Sequence, residues 1–329
     1  MRSINMIKKL AKKYIPVKYF TVIRKFINRL SFFTYLYYDY RHLFKLRKNN
    51  EVKISDIIRQ YHRVEKALSK MPYNPKRGHR AAYELLNFLE KYQIENNEKD
   101  VQFYVGLNVL RQFLNNNKEI DSKAQDRLNK FIDIDFEVKS GVEITPKSYF
   151  LENTHQSFEI LAKSRKSIRY FSDEKVDLIL VEKALDIASK TPSVCNRQGW
   201  HTWIITEPKI ISLFREVHNG FANENQKLTT LLVMTFDKNT FDYPIERNQG
   251  FTDAGLYSMS VMYALTHVGL ASCPLNSNLL LGDKKRLRKV IGIPENFTIA
   301  MFIAVGNYLE ENISPISFRY NAKQKSTLI

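Results

Sequence analysis

Two architectures in one chain are what this sequence predicts: an all-helical first half, then a mixed region in which helices alternate with strands. Three observations carry that reading. Between Ser55 and Tyr92 apolar residues recur at helical spacing (Ile57, Ile58, Tyr61, Val64, Leu68, then Ala82, Leu85, Leu86, Leu89). From about His155 onward, helical patterns are separated by short β-rich apolar runs. The 11 glycines include no G-x-G, and the one G-x-x-x-x-G, Gly250 to Gly255, continues as Leu256-Tyr257 where a phosphate loop needs Lys-Ser/Thr; dinucleotide-fingerprint and P-loop folds are excluded. With 329 residues and 44% apolar content, the chain has the length for two or three domains and is not disordered throughout.

The segments follow in order. Residues 1–50 form a basic, aromatic-rich arm: Met1 to Lys48 holds 13 Lys or Arg against the single acid Asp39, so this stretch carries +12 of the total +17. Its longest uncharged run, Leu30 to Tyr38, is nine residues, too short to span a bilayer, and lysines interrupt every candidate signal segment. The arm suits packing on its own protein or contact with an anionic membrane surface through residues 1–48. Nucleic acid is disfavoured, because no recognition module accompanies the charge. Two cysteines, Cys195 and Cys273, exclude a disulfide framework and a four-cysteine metal centre; a reducing cytoplasm, with peripheral membrane contact, is the expected location. Both cysteines are expected to be small buried side chains.

Residues 51–150 read as a helical domain, with a connector at Met71 to Gly78 and further helices over about Val101 to Leu114 and Lys123 to Phe131. The boundary falls near Pro146 to His155, and residues 154–329 form the mixed domain. There a helix over Val176 to Lys190 takes Ser172 as its expected N-cap, with Asp173 and Glu174 in the first turn. Trp200 to Thr206 is a strand, Pro208 opens a helix closing at Gly220, and Thr229 to Phe236 is a second strand. Asp253 to Val268 is a helix buried on most sides, followed by a strand at Leu270 to Leu275, a basic helix from Asp283 to Ile291 and a strand from Thr298 to Gly306. The tail, Glu310 to Ile329, has no core of its own and is expected to pack on another subunit.

Three groups of residues could carry chemistry. Ser164-Arg165-Lys166-Ser167-Ile168-Arg169-Tyr170-Phe171 flanks a serine with two arginines, the fork-shaped donors and hydroxyl that suit a phosphate monoester. Pro192-Ser193-Val194-Cys195-Asn196-Arg197-Gln198-Gly199-Trp200 offers amides with both donors and acceptors at a helix-to-strand junction. Asp253-Ala254-Gly255 opens the buried helix, and Gly269-Leu270-Ala271-Ser272-Cys273-Pro274-Leu275-Asn276 follows it. Taken singly, each also fits a basic turn, a capped loop or an ordinary core helix.

In this order and spacing, the three resemble the nitroreductase-like family of FMN-dependent oxidoreductases, over about 154–329. The resemblance implies an α+β fold, a mostly antiparallel sheet flanked by helices, in a homodimer with FMN at the interface. It implies that Arg165, Ser167 and Arg169 bind the FMN phosphate and pyrimidine edge, that Pro192 and Ser193 line the flavin with Asn196 and Gln198 as polar contacts reaching the partner's flavin, and that backbone groups of Pro274, Leu275 and Asn276 lie near the reactive flavin nitrogen. Arg319 is the candidate C-terminal arginine for the phosphate. No catalytic protein residue and no metal is implied: NADH or NADPH reduces the flavin, which then reduces a small organic acceptor, while Arg169 tunes the charge at the pyrimidine edge.

The sequence departs from that pattern. Gly199 stands where proline is usual and Val194 where a small polar residue is common, and only residues 237–252 separate the second strand from Asp253, leaving no room for the helices that cover the substrate side in many relatives. The helical half, including His62-Arg63-Val64-Glu65-Lys66, is expected to take over that role; its H-x-x-E pair also fits a plain polar helix face. A flavin-binding accessory or sensor without turnover is the alternative function, and a cofactor-free helical adaptor a third.

Overall fold

The computed structural model describes residues 54–75, 77–95, 99–117, 122–131, 138–222, 226–241 and 244–329, with five single positions between 26 and 37. The basic arm, and the partners expected for it, therefore lie outside the described residues except for Phe26, Leu30, Phe33, Leu36 and Tyr37, which are helical and exposed. No helix among the described residues is long and apolar enough to cross a membrane.

Helices α1 (Ile54–Leu68), α2 (His79–Glu95) and α3 (Val101–Asn115) pack around one core, with α4 (Ser122–Asn129) against α2. On α1 the residues Ile57, Tyr61, Val64 and Leu68 recur every three or four positions and are all buried, as one face of a 3.6-residue helix requires. Asp100 caps α3 by accepting the Gln102 N–H at 2.8 Å.

The mixed region is built on a four-stranded antiparallel sheet of order β2-β3-β5-β4, from β2 (Trp200–Ile205), β3 (Thr230–Asp237), β4 (Ala271–Asn276) and β5 (Phe297–Gly306). Both faces are covered, which explains the near-continuous apolar runs of β3 and β5. Leu231, Val233, Phe302 and Ala304 face a core shared with α8 (Pro208–Val217) and α10 (Leu281–Ile291). Their neighbours Leu232, Met234, Ile303 and Val305 face the opposite core, against α7 (Leu178–Ala188) and the long α9 (Gln249–His267). The two sets alternate residue by residue because side chains in a strand alternate between faces.

Two expectations need correction, and the tail expected on another subunit also has contacts within its own chain. The helix expected from Val176 begins at Leu178, and its N-cap is Asp177, whose carboxylate accepts the Ile179 N–H at 2.9 Å; Ser172 lies five residues upstream, and Asp173 and Glu174 are outside the helix. Cys195 is exposed, whereas Cys273 is buried as expected. The tail packs on its own chain: β6 (Glu311–Pro315) pairs with β1 (Val142–Pro146) in a two-stranded sheet that leads into α5 (Lys147–Glu152). Phe318 then packs on the helical core, and the Tyr320 hydroxyl donates to Asp100 at 2.6 Å, before the chain ends after α11 (Ala322–Lys325). Both strands are short and half polar, so neither carries a strong local pattern; pairing across more than 160 residues is set by tertiary contact.

Candidate functional site

After α6 (Phe158–Ser164), the chain straightens, with Arg165 at φ −60°, ψ 120°. It then runs beside the free edge of β4, where the Ile168 N–H donates to Ser272 O at 3.0 Å. Extended backbone sends alternate side chains to opposite sides. Ile168 enters the sheet core, while Arg165, Ser167 and Arg169, together with Lys166, line a cavity of about 630 Å³. Phe171 locks the end of this segment by packing on Gly306, where a Cβ would lie 2.2 Å from its ring.

Arg319 and Ser317 from the tail and Ile58, Tyr61 and His62 from α1 complete the cavity wall. The Nη1 of Arg165 is buried and has no hydrogen-bond partner. Burial pushes this guanidinium down from its ordinary value, and the charge of Arg319 pushes the same way. The one carboxylate in the wall, Glu143, is engaged elsewhere: Lys139 holds it at 2.7 Å and Lys166 binds its other oxygen. An unsatisfied buried guanidinium facing a second arginine, with no free acid between them, is a cradle for an anion. A phosphate monoester fits it by charge and by donor type.

His62 faces this cavity and its Nδ1 lies 3.2 Å from Oε2 of Glu65, a carboxylate with no solvent exposure. Tyr61 donates to Gln102 in the same wall. Apart from His62, these helical contributions carry no motif; Tyr61 reads in sequence as an ordinary core position of an amphipathic helix.

The third group contributes less than its motif suggests. Pro274 lines the cavity, Leu275 is buried in the sheet core, and the exposed Asn276 is fixed through its carbonyl, 3.0 Å from Nε2 of His218. Burial between Phe214 and Phe302 pushes His218 below its ordinary value. Cys273, wholly buried behind Pro274, has its thiol pushed up by burial, as suits an inert packing residue.

The second group is elsewhere. Pro192, Ser193, Asn196 and Gln198 precede β2, at the opposite edge of the sheet from Arg165, Ser167 and Arg169, and none of them lines the cavity. Three strand spacings, about 14 Å, separate the two edges. Here Cys195, Asn196 and Gln198 all take left-handed backbone angles (φ 50°, 53° and 48°), unusual in non-glycine residues. The loop is held from beneath: Asp253, 1% exposed, accepts the Val194 N–H at 3.4 Å and Gln249 Nε2 at 2.7 Å. Arg197 donates to Thr240 O at 2.9 Å and pairs with Glu246, and Ser193 Oγ accepts the Gln198 N–H at 2.9 Å. Asn196 and Gln198 are left exposed on this rigid support.

Residues 162–245 match the Nitroreductase family model. A protein of Archaeoglobus fulgidus named as an NADH dehydrogenase/NAD(P)H nitroreductase is 25% identical over 143 residues, 44% of this chain and 80% of that protein. One of Methanothermobacter thermautotrophicus with the same name is 26% identical over 152 residues, 46% of this chain and 76% of that protein. Among solved structures, a nitroreductase family protein of Clostridium difficile is 23% identical, with 52% of this chain and 98% of that one covered at a TM-score of 0.44. The family match spans the arginine-serine-arginine segment, the Pro192–Gln198 loop, β2 and β3, so the similarity to the Nitroreductase family is carried by residues 162–245.

Proposed function

We propose that the protein is an FMN-dependent NAD(P)H oxidoreductase acting on a small organic acceptor. The observation that carries this reading is the buried, unpartnered Nη1 of Arg165 facing a cavity shared with Ser167, Arg169 and Arg319. FMN, when bound, would supply the electron exchange between NAD(P)H and the acceptor. Arg165 and Arg319 would neutralise its phosphate, Ser167 would add a hydroxyl, and Arg169 would hold positive charge at the pyrimidine edge. Helix α1 would exclude water from the cavity and take the covering role, since the stretch between β3 and α9, residues 238–248, supplies only two short 3-10 turns among the described residues. His62, oriented by Glu65, would contact the acceptor or donate a proton to it.

In the same reading two copies pair, and the amides of Asn196 and Gln198 serve the partner's flavin rather than their own. The strained, anchored loop with its polar groups exposed supports this. So does the apolar surface beside it, where Phe251 and Leu256 of α9 are 48% and 49% exposed.

The test is the visible spectrum of the FMN-supplemented protein before and after anaerobic NADH or NADPH. Yellow protein that bleaches is the expected result. Yellow protein that stays oxidised with both donors would favour a binding or sensing role, and colourless protein at saturating FMN would overturn the site assignment.

A further inference from the structure

A second cleft, about 900 Å³, lies on the far side of Arg169, between α1 and α2 on one wall and the Tyr170 and Asn219–Gly220 region on the other. Its lining contains six cations and no carboxylate. Two of them are balanced: Arg63 and Arg80 lie 3.0 and 2.9 Å from Glu84 on the outer flank. Lys66, Lys70, Arg77 and Arg169 have no carboxylate partner among the described residues, where every ion pair of the cleft involves Glu84. Burial and the adjacent Arg169 both push Lys66 below its ordinary value, and burial and Arg77 do the same to Lys70. Cations gathered in a part-buried cleft without a counter-charge repel one another, and an anion would relieve that repulsion.

We propose that this cleft is a binding site for a phosphate- or diphosphate-bearing small molecule, held by Lys66, Lys70, Arg77 and Arg169. Four unbalanced cations match the two or three negative charges of such a group better than the single charge of a carboxylate. The mixture of lysine point charges and arginine forks is also what phosphoryl groups take. Because Arg169 walls both cavities, the bound molecule abuts the proposed flavin site. It is therefore either the acceptor itself or the electron donor. That second step rests on the proposed function; the binding does not.

The experiment is calorimetric titration of the FMN-supplemented protein with inorganic diphosphate. One equivalent is expected to bind, and Lys66→Met and the double variant Lys70→Ala/Arg77→Ala each to weaken binding at least tenfold while FMN absorbance is unchanged. Lys70 and Arg77 both lie past the end of α1, between it and α2, so the double variant tests the cleft even if Lys66→Met fails to fold. Diphosphate affinity equal to wild type in the double variant would overturn the proposal. Loss of diphosphate binding when FMN is saturating would also overturn it, by placing the anion at Arg165. If the protein takes up no FMN, the proposed function fails, while the same titration and variants still decide the cleft. With bound flavin, a raised KM for NAD(P)H in the variants assigns the phosphoryl group to the donor. Weakened diphosphate binding with an unchanged donor KM assigns it to the acceptor.

Discussion

The cavity beneath α1 and the loop at Pro192–Gln198 carry two parts of one sequence signature, yet they are built in opposite ways. The cavity draws on residues as distant as Ile58 and Arg319 and leaves a charged group buried without a partner. The loop is local: its backbone strain, its supports Asp253 and Glu246 and its exposed amides are satisfied within one edge of the sheet. In the proposed reading, the unsatisfied group inside the cavity belongs to a ligand held by one chain, and the polar side chains displayed on the loop are offered to a second copy. Two motifs that occur together in a sequence therefore need not meet within one copy of the fold.

That contrast is easiest to break at Arg165. Charge-assisted hydrogen bonds contribute about 1.5–3 kcal/mol each, so Arg165→Ala is expected to weaken FMN binding about 10- to 100-fold in an absorbance titration, with the oligomeric state by sedimentation unchanged. FMN affinity equal to wild type would remove this cavity as the phosphate site. The double variant Asn196→Ala/Gln198→Ala should have a smaller effect, about 3- to 10-fold in FMN affinity, as expected for neutral hydrogen bonds of roughly 1 kcal/mol. Its deficit should be seen only at protein concentrations where two copies associate. A deficit of the same size in a dilute monomer would bring the loop back to its own cavity.

The smallest expected effect concerns pH and the support under Asn276. Burial lowers the pKa of His218 in the folded protein below its ordinary 6.5, so the unfolded chain binds the proton more readily. The stabilisation from keeping this ring neutral is present above about pH 6.5 and is lost as pH falls towards the depressed folded value. Thermal melts of wild type should drop between pH 7 and 5 more steeply than those of His218→Asn. Parallel pH profiles would show that His218 does not carry this linkage.

Much of the architecture was legible residue by residue. The stripe Ile57, Tyr61, Val64, Leu68 predicts α1, and Pro208 at the first turn marks the start of α8, because helix faces and caps are local geometry. The arginine-serine-arginine segment was legible as a set of fork-shaped donors around a hydroxyl; that Arg165, Ser167 and Arg169 line one cavity came from the structure. The cap of α7 moved from Ser172 to Asp177, since both are good caps and the choice depends on where Phe171 and Ser172 are tied to Gly306 and Asn307. The pairing of β1 with β6 left no local pattern, being two short half-polar strands brought together from distant segments.

By itself the sequence determined the helical first half, the covered sheet, the similarity of residues 162–245 to the Nitroreductase family and the set of cations available to hold an anion. These follow from periodicity, capping and side-chain chemistry within a few residues of one another. Only the tertiary structure decided which cations share a cavity, that α1 and the tail close over Arg165, that the amide loop stands at the opposite sheet edge, and that Lys66 and Arg169 face a second cleft. Strand order and helix docking are set by packing between segments far apart in the chain, and no local spacing encodes them.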